Sequence, residues 1–155
     1  MRAHAWYYMN MKSDGNNFSI LFDLIGTLSR RRFRVGEQGF AKIGLNHTEA
    51  RVLTLLDREG GESTQEALSG MLTVDRSNAG RAMKNLEGEG YVLRTKDSSD
   101  ARTNIVKLTA KGTKIVGKIA KLRKEMAQSF FGDLTEDEAG IVIDLLNRAE
   151  PKGEK

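Results

Sequence analysis

The chain has 155 residues, of which 39% are hydrophobic and 30% charged, with a formal net charge of +4; this suits one domain with a modest apolar core. The absence of cysteine excludes disulfides, thiolate metal sites and cysteine redox switching, and two histidines, His4 and His47, are too few for a histidine-rich zinc site. No run of about twenty apolar residues could span a bilayer, and the opening MRAHAWYYMNMKSDGNN lacks the apolar core of a signal peptide, so a cytoplasmic protein without a cofactor is expected.

Residues 1–17 form an N-terminal tail with no clean periodicity. Trp6, Tyr7 and Tyr8 belong either to a poorly ordered terminus or to a patch that packs on a partner, and Met9 and Met11 are alternative starts. Residues 18–150 read as a single domain. From 18 to about 40, Phe18, Leu21, Phe22, Ile25 and Leu28 make one apolar helical stripe. Arg30, Arg31, Arg32 and Arg34 follow, as a solvated face, as ion-pairing groups at a subunit interface, or against phosphate. Gly36, Gly39 and Gly44 are expected to weaken the end of this helix and form the link to the next. Residues 46–58 make a second helix, with Asn46 and Glu49 at N-cap and N3 spacing and Val52, Leu53, Leu55 and Leu56 facing the core. His47 lies in its first turn as an exposed or singly hydrogen-bonded ring, a pH sensor or part of a pocket wall. Gly60-Gly61 is the next loop.

Residues 63–112 contain two helices and two strands. Ser63 and Glu66 have the spacing of a capping box for a short helix that buries Ala67, Leu68, Met71 and Leu72. Thr73-Val74 turns the chain, and Asp75 caps the following helix. That helix places Ala79, Ala82, Met83 and Leu86 on one face and Ser77, Asn78, Arg81 and Lys84 on the other. Short hydrogen-bonding side chains followed by long cations suit a helix presented to the DNA major groove. Gly90 stops this helix. Tyr91-Val92-Leu93-Arg94 and residues 103–108 are β-prone, and Lys96-Asp97-Ser98-Ser99-Asp100-Ala101 makes a solvated hairpin tip between them.

Thr109 caps a long helix through about residue 131, with Ile115, Ile119, Leu122, Met126 and Phe130 near coiled-coil spacing. Thr135 and Glu138 make a capping box for the last helix, whose stripe is Ile141, Val142, Leu145, Leu146 and Ala149; Pro151 ends it. The first helix and these two cannot all bury their stripes on so small a central lobe, so a two-fold homodimer is expected, with a monomeric helical collar as the alternative. Charge is uneven: residues 91–124 hold ten Lys or Arg against two Asp, a net of +8, whereas residues 125–155 carry a net of −5. The positive segment points to a polyanion partner on the wing side or to a solvated lysine face.

The fold class is mainly α with a small β-hairpin. Arg94-x-x-Asp97-x-x-Asp100-x-Arg102, followed by Leu108-Thr109-x-x-Gly112 and preceded by Leu86-Glu87-x-x-Gly90-Tyr91-Val92, resembles the wing signature of the MarR family of winged helix-turn-helix transcription regulators. The resemblance covers roughly residues 18–149. It implies a winged helix-turn-helix lobe over 46–108, a helical dimerisation region over 18–45 and 109–150, and a homodimer on double-stranded DNA with a pseudo-palindromic site. Ser77, Asn78 and Arg81 are then expected at bases or adjacent phosphates, Lys84 at phosphate, and Arg102 in the minor groove. Asp100 is expected to hold the Arg102 guanidinium by charge-assisted hydrogen bonds. Arg94, a further candidate at the DNA, and Asp97 are expected to brace the base of the wing, with simple turn formation as the alternative for both aspartates. The resemblance also implies a small aromatic or anionic effector between dimerisation helices and DNA-binding lobe, lined from the first, second and fifth helices, and a ligand-responsive repressor. Thr73 departs from the glycine common at that turn, and Gly80 costs the reading helix about 1 kcal/mol relative to alanine. A winged-helix protein–protein module is the alternative; the cations Arg81, Lys84 and Arg102 argue against it. An enzyme is not expected, because no Gly-rich phosphate loop, nucleophile–base set or metal cluster is present.

Overall fold

The computed structural model describes residues 16–72, 75–100 and 102–149; Trp6, Tyr7, Tyr8, the Thr73-Val74 turn, Ala101 and Pro151 lie outside them. In chain order the elements are α1 (Asn17–Ala41), α2 (His47–Arg58), β1 (Glu62–Thr64), α3 (Gln65–Met71), α4 (Arg76–Gly88), β2 (Val92–Lys96), β3 (Asn104–Leu108), α5 (Ala110–Phe130) and α6 (Glu136–Asn147). The chain is mostly helical, with a small antiparallel sheet of order β1-β3-β2. No described helix is long and apolar enough to cross a membrane.

Local chemistry accounts for most boundaries. Asn46 and Glu49 form a reciprocal capping box at α2, and Thr135 and Glu138 form another at α6. Thr109 accepts the Gly112 N–H at the start of α5. α4 ends where Gly90 takes φ +72°, which lets the Gly90 N–H reach the Glu87 carbonyl and the Tyr91 N–H reach the Leu86 carbonyl, both at 2.9 Å. This closure satisfies carbonyls at the helix end, and glycine adopts it without steric cost.

Two local expectations fail for identifiable reasons. Ser63 does not cap α3. Its backbone is committed to β1, where it pairs with Val106, and Thr64 caps the helix by accepting the Ala67 N–H at 3.0 Å. The sheet therefore has three strands rather than a hairpin alone, and α3 is rotated so that Ala67 is exposed while Leu68 and Leu72 are buried. Gly36 and Gly39, in turn, do not loosen the end of α1, which continues through both. A Cβ at Gly36 would stand 2.8 Å from His47 Nδ1, and one at Gly39 would overlap Met126 Sδ. They are the points at which α1 closes on α2 and α5.

The core lies inside the lobe. Val52, Leu53 and Leu56 of α2, Leu68 and Leu72 around α3, Met83 and Leu86 of α4, and Val92 and Val106 of the sheet are all fully buried. Ile115 and Ile119 of α5 enter from the base, with Leu122 and Met126 packed partly behind them. Outside the lobe the apolar stripes stay uncovered: Phe18 and Phe22 of α1 are 81% and 79% exposed, and Ile141, Val142, Ile143, Leu145 and Leu146 of α6 are all exposed.

Candidate nucleic-acid interface and cavity

α4 is held by one face and presents the other. Ala79, Ala82, Met83 and Leu86 are buried against the lobe, whereas Ser77, Asn78, Arg81 and Lys84 are exposed. At its start Asp75 Oδ1 accepts the Ser77 N–H at 2.6 Å, and hydrogen bonding from Ser77 holds this carboxylate below its usual range. It therefore remains an ionised cap at the positive helix end. Arg81 Nη2 donates to Asn78 Oδ1 at 2.7 Å, so two of the three predicted base-reading side chains are coupled along one edge of the helix. Gly80 faces open space, with no atom within 4 Å of an added Cβ.

The wing is ordered through its aspartates. Asp97 Oδ1 accepts from the Ser99 hydroxyl and N–H and from the Asp100 N–H, and this bonding holds its carboxyl below the usual range. Asp97 thus shapes the tip rather than the base. Asp100 accepts the backbone N–H of Arg102 at 2.9 Å and the Thr103 hydroxyl at 3.0 Å. The carboxylate therefore fixes the backbone at Arg102 in place of the expected contact with its guanidinium, because the turn brings the N–H closer than the side chain. Arg102 itself is exposed. Arg94 turns inward: Nη1 donates to Gln65 Oε1 at 3.3 Å, and Nε lies 3.1 Å from Glu87 Oε2 as an ion pair without hydrogen-bond alignment. It ties β2 to α3 and α4 and does not stand beside Arg102.

A junction that sequence reading missed joins α4 and β2 to α5. The Thr109 hydroxyl donates toward the Gly90 and Tyr91 carbonyls at 2.8 and 3.2 Å, and Lys111 Nζ donates to the Glu89 carbonyl at 2.6 Å while lying 4.5 Å from the Tyr91 ring centre. Gly112 packs so closely that a Cβ would overlap the Tyr91 carbonyl oxygen. The Leu-Thr-x-x-Gly spacing was visible in the sequence; its contact with the end of the reading helix, far along the chain, was not.

Between α1, α2 and α5 lies a cavity of about 560 Å³. Arg32, Arg51, Arg58 and Arg123 reach its wall together with Phe40 and Phe130, and among the described residues no acidic side chain lines it. Arg31 stacks over Phe130 at 4.5 Å. His47 also lines the cavity; burial, then the positive field of Arg32, lowers its pKa from 6.5. The ring is therefore neutral at neutral pH. Among the described residues no group of three or more His, Asp or Glu is placed to hold a metal ion.

The MarR family profile matches residues 45–103, the stretch from the end of the α1–α2 link to the far side of the wing tip. The HTH-type transcriptional regulator YkoM of Bacillus subtilis is 33% identical over 106 residues, which are 68% of this chain and 68% of that protein. The chain belongs to the MarR family. Among solved structures, wild-type MarR of E. coli in its apo form is similar over 84% of this chain and 96% of its own, with a TM-score of 0.75 and 26% identity. A cysteine-to-serine variant of E. coli MarR complexed with operator DNA is similar over 88% of this chain and 100% of its own, with a TM-score of 0.74 and 25% identity. As a MarR-family transcriptional regulator, the chain carries α4, β2 and the wing tip within the profile match, while α1, β3, α5 and α6 lie outside it.

Proposed function

We propose that this MarR-family regulator is a homodimeric repressor that reads a pseudo-palindromic operator through α4 and the wing and responds to a small anionic aromatic ligand. The observation that carries the reading is the two-sidedness of α4. Its small and apolar side chains anchor it while Ser77, Asn78, Arg81 and Lys84 face solvent beside a wing that ends in Arg102. Ser77, Asn78 and Arg81 contact base edges or adjacent phosphates, Lys84 contacts phosphate, and Arg102 enters the minor groove. Arg94, Asp97 and Asp100 position the wing and do not touch bases. The uncovered stripes of α1 and α6 support dimerisation, because apolar patches of this extent are characteristic of interaction sites. Two reading helices would then engage half-sites about one turn of DNA apart. The arginine-walled, partly aromatic cavity supports the anionic aromatic ligand.

Footprinting on the DNA upstream of the gene for this chain, at two salt concentrations and with and without benzoate, tests the proposal. Protection of two half-sites that fades steeply with salt and is relieved by benzoate is expected. Protection of an uninterrupted, sequence-independent stretch would reject operator reading.

A further inference from the structure

The first turn of α2 touches both the cavity and the reading helix. On the cavity side, the His47 ring lies 4.9 Å from the Phe33 ring and 5.8 Å from the Phe40 ring. Its Nδ1 is buried without a partner against Gly36, and its backbone N–H donates to Glu37 Oε1 at 2.8 Å. On the other side, Glu49 is 8% exposed and divides its carboxylate between two elements. Oε2 accepts the Asn46 N–H at 2.9 Å, closing the cap of α2, and Oε1 accepts from Asn85 Nδ2 of α4 at 3.1 Å.

We propose that Asn85 is a positioning residue: its hydrogen bond to Glu49 sets the register of the reading helix against α2 and carries the state of the cavity to α4. The inference rests on the ligand reading above and names the route by which a ligand would act. α2 and α4 also send apolar side chains into the shared core, Val52, Leu53 and Leu56 from α2 and Met83 and Leu86 from α4. Apolar burial is non-directional and tolerates small sliding. A hydrogen bond to a buried carboxylate is directional, and leaving that carboxylate unsatisfied is costly, so Asn85 follows Glu49 when the turn moves. A ligand that displaces His47 shifts the capped turn from Asn46 to Glu49 as a unit. Asn85 is the next residue after Lys84, so the shift reaches the DNA-facing edge of α4. Linkage requires the reverse effect as well, with DNA held on α4 restraining the His47 turn.

The test uses amide NMR of the full chain. Gly36→Ala places a methyl 2.8 Å from His47 Nδ1 and so pushes the ring as an occupant of the cavity would; His47→Ala disturbs the same turn by removal and serves if the first variant fails to fold. Each is made with Asn85 intact and with Asn85→Ala. The expected result is displaced signals for residues 77–86 with Asn85 intact and loss of that displacement in Asn85→Ala. Equal displacement in both backgrounds, or none in either, overturns the proposal. Benzoate titration of the wild-type chain tests the ligand reading separately: absence of shifts at cavity-lining residues would sink that reading and leave the Gly36→Ala result to judge the route.

Discussion

Arg102, Lys84 and Arg94 are all cations of the wing and α4, yet their surroundings differ. Arg102 is exposed on a backbone fixed by Asp100, so its guanidinium can enter a groove without desolvating a buried group or unfolding the wing. Arg102→Ala should weaken operator binding by about 1–3 kcal/mol, read by fluorescence anisotropy on a bound duplex. Lys84→Ala should weaken specific and non-specific DNA alike and flatten the salt dependence by about one unit. Arg94 is only partly exposed and engaged with Glu87 and Gln65. Its removal should leave the salt slope unchanged and cost at most about 1 kcal/mol of folding stability, as expected for a half-exposed ion pair. An Arg94→Ala variant that lowers the slope as Lys84→Ala does would return Arg94 to the DNA. His47 gives a pH signature of its own. The folded chain holds its pKa below 6.5, so the unfolded chain takes up the proton first as pH falls. The stability contributed by the neutral ring is whole above pH 6.5 and is lost as pH falls through and below it. Urea midpoints between about pH 8 and pH 5 should fall more steeply for the wild type than for His47→Gln. Asp75, Asp97 and Glu138, all held low by hydrogen bonds, lose their contributions only in the more acidic carboxylate range, so the two windows separate.

At the scale of elements, what was legible in the sequence is what local chemistry decides. Caps at Asn46, Asp75, Thr109 and Thr135 and the two faces of α4 follow from side chains within a few residues of one another. What was not legible depends on distant partners. Ser63 has the spacing of a cap, but its pairing with Val106, more than forty residues on, draws it into a strand. Gly36 and Gly39 read as helix breakers, whereas their value lies in the approach of His47 and Met126. Asp100 two residues before Arg102 suggests a side-chain pair, and only the turn geometry shows that the backbone N–H is taken instead. Gly112 sets local propensity against a distant contact in the same way. Helix propensity alone predicts that Gly112→Ala gains up to about 1 kcal/mol. The Tyr91 carbonyl blocks the methyl, and both sides of that contact are backbone, so overpacking should win with a net loss of about 1–3 kcal/mol in urea denaturation. A stabilised variant would show that the α4–α5 junction yields easily.

At the scale of the molecule, the lobe buries a complete core while α1 and α6 leave theirs to be covered. Ile141→Glu on α6, 60% exposed in the single chain, should leave the lobe folded, shift the sedimenting species from dimer to monomer and lower operator affinity, because one reading helix then binds without its mate. A dimer that persists with unchanged affinity would move the interface away from α6. The chain's net +8 over residues 91–124 places positive charge in the wing and α5, where under the proposed function it would add a salt-dependent, sequence-independent attraction to the base contacts proposed for α4. Reading helix, wing and uncovered stripes all support the proposed function, a homodimer that reads two inverted half-sites. Selection of bound duplexes from a random pool, followed by sequencing, is the decisive experiment and works without a known operator. Enrichment of a pseudo-palindrome with half-site centres about one helical turn apart is expected, together with loss of that enrichment in Arg81→Ala. A pool that stays random at every round, with the protein folded and dimeric, would contradict sequence-specific operator reading.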